Sequence, residues 1–270
     1  MKRSDLAVEM ADVMEEKDIK LVDEHYNGIK ATCVTLSRQG GKQIGKPAGR
    51  YITLHCDGMD NMRCASALAH YLEEMLMPSA IWERMLVAGL GNEWVTPDSL
   101  GARTVHKIPA TSHLSNTDEF KELGLRPVAV LEMGVMGQTG IESADYLHYV
   151  AKNFLPAAII VIDSLACGDF SRLGATIQLT DTGIAPGSGV GGCRRPLNSK
   201  NMGTKVIAIG VPTVIDLDSI TDCAKQPMMV TPRDIDSVIE RYSDIISTGI
   251  NSALNPNLSP EETELLRVVY

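Results

Sequence analysis

The sequence has 270 residues, 25 of them Lys or Arg and 34 Asp or Glu, for a formal net charge of −9 at pH 7. A nucleic-acid backbone is neutralised by clustered basic side chains, so an acidic chain with no basic block excludes nucleic acid as a partner. An apolar share of 44%, with 23 Gly, 13 Pro and 4% aromatic residues, excludes disorder, collagen and a disulfide scaffold, and leaves a globular chain with an aliphatic core.

Residues 1–50 read as a polar, weakly periodic amino-terminal segment, Gly-rich near 40–45. It has no apolar stretch after its first basic residues, so no secretory signal is expected. From Tyr51 the pattern is that of an α/β core over 51–230. Short β-branched runs predict strands at Tyr51–His55, Met85–Leu90, Val128–Leu131, Ala158–Ile162, Thr176–Leu179 and Val206–Ile209. Helical spacing lies between them at Met62–Met75, Ser99–His106 and Glu142–Phe154. Unbroken apolar runs such as Ala158 to Ile162 suit strands covered on both faces, which predicts a three-layer α/β fold with a mostly parallel central sheet. A last helix is predicted over 231–254, with Thr231 as N-cap, Pro232 at its first position, Asp234 facing the dipole and an apolar stripe through Ile235, Val238, Ile239, Tyr242, Ile245 and Ile246. One domain accommodates all of this. The apolar run Ala157–Ala166 is broken by Asp163 and falls short of the ~20 residues a membrane span needs, so no membrane is expected as partner. The six cysteines never occur as Cys-x-x-Cys and read as reduced thiols in a cytosol-like compartment.

Several nucleotide motifs fail. Gly40 to Lys46 fits Gly-x4-Gly-Lys, but Pro47 stands where a hydroxyl must hold magnesium. Gly187-Ser-Gly189-Val-Gly191-Gly192 fits a dinucleotide fingerprint by letter, yet Cys193-Arg-Arg-Pro196 follows it instead of a helix. In an open parallel sheet, function gathers at the carboxyl ends of strands. There the sequence places two acids. Asp98 follows Thr96-Pro97, with Thr96 as a cap, where a helix start favours the ionised carboxylate. Asp163 ends an apolar strand, where burial favours the protonated acid. Such a pair can share a proton, one acid acting as base on a water and the other as acid to a scissile group, or it can ligate a divalent metal that acidifies the water. Asn92, Thr96, Asp181, Gly187, Ser188, Gly189 and His113 stand near the predicted strand ends and are cleft candidates.

At these segments the chain resembles the germination protease family of spore-forming bacteria. The matching stretches include Arg3-Ser-Asp-Leu-Ala-Val-Glu9, Val87-Ala-Gly-Leu-Gly-Asn92, Val95-Thr-Pro-Asp98-Ser-Leu-Gly101, Gly134-Val-Met-Gly-Gln-Thr-Gly-Ile-Glu142, Val161-Ile-Asp163-Ser-Leu-Ala166, Asp181 to Gly191 and Ile207 to Val214. The resemblance implies a phosphorylase/hydrolase-like fold, an atypical aspartic endopeptidase acting on small acid-soluble spore proteins during germination, a homotetramer, and a place in the forespore and spore core. It puts the essential carboxylates at Asp98 and Asp163 and calls for no cofactor. The Gly-Leu-Gly-Asn segment also resembles hydrogenase maturation endopeptidases, which keeps the metal arrangement as an alternative beside an inactive scaffold of the same fold. Two departures stand out. Only Met1 and Lys2 precede the first matching stretch, where the family carries a propeptide, and Asp218 to Thr231 is short where many members have a long insertion.

Overall fold

The computed structural model describes residues 4–11, 18–77, 80, 83–187, 194–217 and 228–269. The first half holds α1 (Val8–Ala11), β1 (Ile19–Tyr26), β2 (Ile29–Leu36), α2 (Arg38–Ile44), β3 (Gly49–His55), α3 (Asn61–Leu76), β4 (Met85–Gly89), α4 (Leu100–Val105), α5 (Asp118–Glu122) and β5 (Val128–Glu132). The second half holds α6 (Met136–Thr139), α7 (Ser143–Phe154), β6 (Ala158–Cys167), β7 (Thr176–Thr180), α8 (Ser199–Met202), β8 (Lys205–Asp216), β9 (Met229–Val230), α9 (Ile235–Leu254) and α10 (Pro260–Val269).

The strands form one sheet in the order β1-β2-β3-β7-β8-β6-β4-β5, with β9 on β8. Side chains alternate between the two faces of a strand, so each apolar run feeds two cores at once. Met85 and Val87 of β4, Ile160 and Ile162 of β6, and Ile207 and Ile209 of β8 pack with α3, α4 and α9. Leu86, Ala88, Ile159 and Val161 face the other way, onto Leu147 and Ala151 of α7. On that same second face, at the other end of the sheet, Val34, Leu36, Tyr51, Leu165 and Cys167 pack with α1 and α2. The result is the expected three-layer α/β arrangement.

The sheet is mixed. Pairings among β5, β4, β6 and β8 are parallel, while β1, β2, β3, β7 and β9 join antiparallel. Parallel pairing thus holds for the strands with unbroken apolar runs, which need helices on both faces. The antiparallel flank starts in a segment read as polar and weakly periodic. There β1 and β2 form a hairpin through Asn27 and Gly28, both at positive φ, the backbone a two-residue hairpin turn requires.

Two boundaries differ from the sequence reading. The helix predicted over 231–254 starts at Ile235, not after Thr231, and is not the last, since α10 follows it. Thr231 cannot cap it, because its hydroxyl donates to the carbonyl of Thr213 at 2.8 Å, extending the β8–β9 pairing. Strand β6 runs on to Cys167, so Asp163 lies within a strand and not at its tip. The stripe of α9 is as read, with Ile235, Ile239, Tyr242, Ile245 and Ile246 buried. Cys33, Cys56, Cys64 and Cys167 are free thiols, all buried. Among the described residues no helix is long and apolar enough to cross a membrane.

Candidate active site

Strand β4 ends at Gly89, opposite Ile162 of β6. Leu90 still donates its N–H to the Ile162 carbonyl at 2.8 Å. The chain then turns away at Gly91, whose φ of +99° an L side chain rarely adopts and where a Cβ would meet the Asp98 carbonyl oxygen. A single 3-10 turn, Thr96–Asp98, leads into α4. Thr96 lies inside that turn and caps nothing with its side chain; its carbonyl accepts from the Ser99 hydroxyl at 2.8 Å. From the far side, the hydroxyl of Thr213 on β8 donates to the Pro97 carbonyl at 2.7 Å. The turn that carries Asp98 is therefore fastened to β4, β6 and β8 together.

Beyond the end of β4, β6 keeps only β8 as its strand neighbour, with Asp163 paired to Gly210. Asp163 is odd in register with Ile159 and Val161 and so points to the second face, between the two apolar clusters there. It is 5% exposed. Its Oδ1 accepts from the N–H of Ser164 at 2.9 Å. Asp98 and Asp163 line one cavity of about 420 Å³, together with Asp5, Gly187 and Arg194.

Burial pushes the Asp163 carboxyl well above the usual carboxylate range, and the negative charges of Asp98 and Asp5 add to the rise. Asp98 is also raised, chiefly by burial, against the N–H of Asn92 and the charge of Arg194. This corrects the expectation that a helix start would favour its ionised form. A three-residue turn supplies little dipole, and the Asn92 N–H at 2.8 Å from Oδ2 does not offset the lost water. The order still separates the pair: Asp163 holds its proton more strongly than Asp98.

The other predicted residues divide. Gly187 lines the cavity, and Ser188 and Gly189 lie outside the described residues. Asn92 does not line it but positions Asp98 through its N–H, while its side-chain oxygen accepts from Gln138 at 2.6 Å and so ties the loop after β4 to α6. Asp181 stands apart, accepting from the Arg50 N–H at 2.9 Å beside the β3–β7 ladder. His113 is exposed near Thr111, whose N–H bonds the carbonyl of Val128 at the start of β5. It is therefore at the edge of the parallel strands opposite to Asp98 and Asp163.

Two charged residues of the cavity, Asp5 and Arg194, were not singled out from the sequence. Asp5 takes the free edge of β6: its N–H donates to the Ala166 carbonyl at 2.8 Å, and its Oδ2 accepts from the Ala166 N–H at 2.9 Å. Its only sequence signal is an acid directly before the buried Leu6-Ala7-Val8. Arg194 follows the Gly-rich loop, and that proximity was its signal. A second cavity of about 310 Å³ shares Asp5 and Leu165 with the first and is lined by Lys46 and Gln178. Burial lowers the Lys46 ammonium, opposed by the charges of Asp5 and Glu9. Among the described residues no group of three His, Cys, Asp or Glu side chains is placed to hold a metal ion.

A family model described as germination protease matches residues 2–226. A germination protease of Clostridium tetani (strain Massachusetts / E88) is 37% identical over 315 aligned positions, covering 96% of this chain and 97% of that protein. One from Caldanaerobacter subterraneus subsp. tengcongensis is 36% identical over 319 positions, covering 98% and 97%. One from Oceanobacillus iheyensis is 40% identical over 239 positions, covering 81% of this chain and 65% of that protein. Alignments of 315 and 319 positions exceed the 270 residues here, so those two relatives carry residues that this chain lacks. Among solved structures, the chain is similar to a NiFe hydrogenase maturation protease, HycI from Thermococcus kodakarensis KOD1, at 19% identity and a TM-score of 0.40, covering 68% of this chain and 98% of that one.

Proposed function

The chain belongs to the germination protease family, and from that premise we propose that it is an endopeptidase that degrades small acid-soluble spore proteins during germination, with Asp98 and Asp163 as its catalytic acids. The observation that carries this reading is the meeting of two carboxyls, 65 residues apart in the sequence, on one cavity where burial raises the Asp163 carboxyl well above the usual carboxylate range. Asp98, as carboxylate, takes a proton from a water. The water oxygen bonds to the scissile carbonyl carbon, and the carbonyl π pair moves onto oxygen. As the C–N bond breaks, Asp163 gives its proton to the leaving nitrogen. The proton on Asp98 then passes to Asp163 and the pair is reset. Asn92 and the turn fastened by Thr213 hold Asp98 at its station, and the second cavity beyond Asp5 gives room for residues flanking the cut. The same reading sets the enzyme in the forespore and spore core as a homotetramer.

The test is incubation of the purified protein with a purified small acid-soluble spore protein, with fragments identified by mass spectrometry. The expected result is a few discrete cuts by the natural sequence and none by Asp98→Asn or Asp163→Asn. Absence of cleavage by the natural sequence, or equal cleavage by all three, overturns the proposal.

A further inference from the structure

Peptide hydrolysis builds negative charge on the scissile carbonyl oxygen, and the one proton the acid pair carries at the start, on Asp163, is spent on the leaving nitrogen. The charged side chains among the described residues lining the cavity are Asp5, Asp98, Asp163 and Arg194. When the oxyanion forms, Asp98 has taken a proton and Asp163 still holds one, so the charge that repels it is that of Asp5, and Arg194 is the one cation among the described residues lining the cavity. A guanidinium carries five N–H donors and does not give up its proton in proteins. Arg194 is only partly exposed. Among the described residues it makes no hydrogen bond and no ion pair within 4.0 Å, whereas its neighbour Arg195 is paired with Asp145. An arginine that lines an acidic cavity with its fork uncommitted among the described residues has its donors available to a third party. Its charge reaches both acids, lowering Asp98 and Asp163 alike against the larger effect of burial.

We propose that Arg194 is a third catalytic residue, whose guanidinium donates hydrogen bonds to the carbonyl oxygen of the scissile peptide and stabilises the oxyanion of the tetrahedral intermediate. This rests on the reading of Asp98 and Asp163 given above. No proton leaves Arg194. The water oxygen forms its bond to carbon while Asp98 takes the proton, and the oxyanion shelters against the guanidinium. The π bond re-forms as the C–N bond breaks toward the proton from Asp163.

The experiment compares Arg194→Ala, Arg194→Gln and Arg194→Lys with the natural sequence on a purified small acid-soluble spore protein, beside Asp98→Asn. Loss of an oxyanion donor lowers kcat by about 10²–10³-fold, with KM changed by no more than a few fold and Arg194→Lys least affected. Two further readouts separate this role from a structural one. Millimolar guanidinium restores part of the kcat of Arg194→Ala, and the acidic limb of the kcat–pH profile moves to higher pH, because loss of the cation lets Asp98 rise. Urea midpoints stay unchanged, since no partner among the described residues is lost. If the natural sequence cleaves and Asp98→Asn does not, yet Arg194→Ala keeps its kcat or loses only KM, Arg194 is no oxyanion donor while the acid pair stands. If the natural sequence does not cleave, the acid-pair reading fails and takes this assignment with it.

Discussion

Replacing Asp163 with Asn tests the electrostatics of the site without any substrate. Asn matches Asp in shape and its oxygen can still accept the Ser164 N–H, now 2.9 Å from Oδ1, but it has no proton to release. In the unfolded chain Asp163 titrates near its ordinary value of 3.8, whereas burial and the charges of Asp98 and Asp5 raise it well above that in the fold. The fold therefore binds the proton more tightly than the unfolded chain does. Its contribution to stability is fully present below the unfolded value and is lost as pH rises toward the folded one, at about 1.4 kcal/mol per pH unit. The Asn variant escapes that loss. Urea unfolding of both proteins from pH 4 to 8.5 should give a stability difference that grows in favour of Asp163→Asn with about that slope, then levels at the folded pKa. In an Asp98→Asn background the rise should level earlier, because one of the charges raising Asp163 is gone. A difference that stays flat, or that favours the natural residue increasingly as pH rises, refutes the claim that Asp163 is a buried proton holder.

Three further outcomes follow from the packing. Thr213→Val removes the 2.7 Å bond to the Pro97 carbonyl and should lower stability by about 1–2 kcal/mol in urea, with a fall in kcat as the Asp98 turn loosens; an unchanged midpoint would show that the turn is held elsewhere. Gly101→Ala forces a Cβ onto the Leu90 carbonyl oxygen and to 2.6 Å from that of Ile162; since backbone cannot yield as a side-chain tip does, a loss of about 1–3 kcal/mol is expected, and a midpoint equal to that of the natural sequence would contradict the close crossing of α4 over β4. Cys33, Cys56, Cys64 and Cys167 are buried, so at least four of the six thiols should react with a disulfide reagent only after unfolding, and fast labelling of any of these four in the folded protein would contradict the packing.

The parallel half of the sheet was legible because each of its strands contains a short apolar run, though β6 and β8 extend well beyond theirs, and such runs suit strands covered on both faces. The hairpin β1–β2 escaped the reading because β1 is an edge strand whose side chains are mostly exposed and polar, which blurs the period of two. Its turn was nonetheless spelled out in Asn27-Gly28. Asp98 and Asp163 could be picked out because an acid beside an apolar strand is costly without a task. Their common cavity is a product of register, since β4 stops where β6 continues. Asp5 could not be found that way: its partner Ala166 lies 161 residues on, and nothing local marks such a pairing. His113 and Asp181 misled because both follow an element boundary, which looks the same in sequence at either edge of a sheet. Thr231 looked like a cap for lack of any local sign that β8 would claim its hydroxyl.

The account stands or falls on Asp98 and Asp163 acting as one unit, and kcat for the two Asn variants and their double variant on the same spore protein measures that directly. Groups that serve a single transition state are not additive. Each single variant should lose at least about 10³-fold, and the double variant should be slower than the weaker single by no more than a few fold. Either single variant retaining a tenth of the natural rate, or losses that multiply in the double variant, would contradict it.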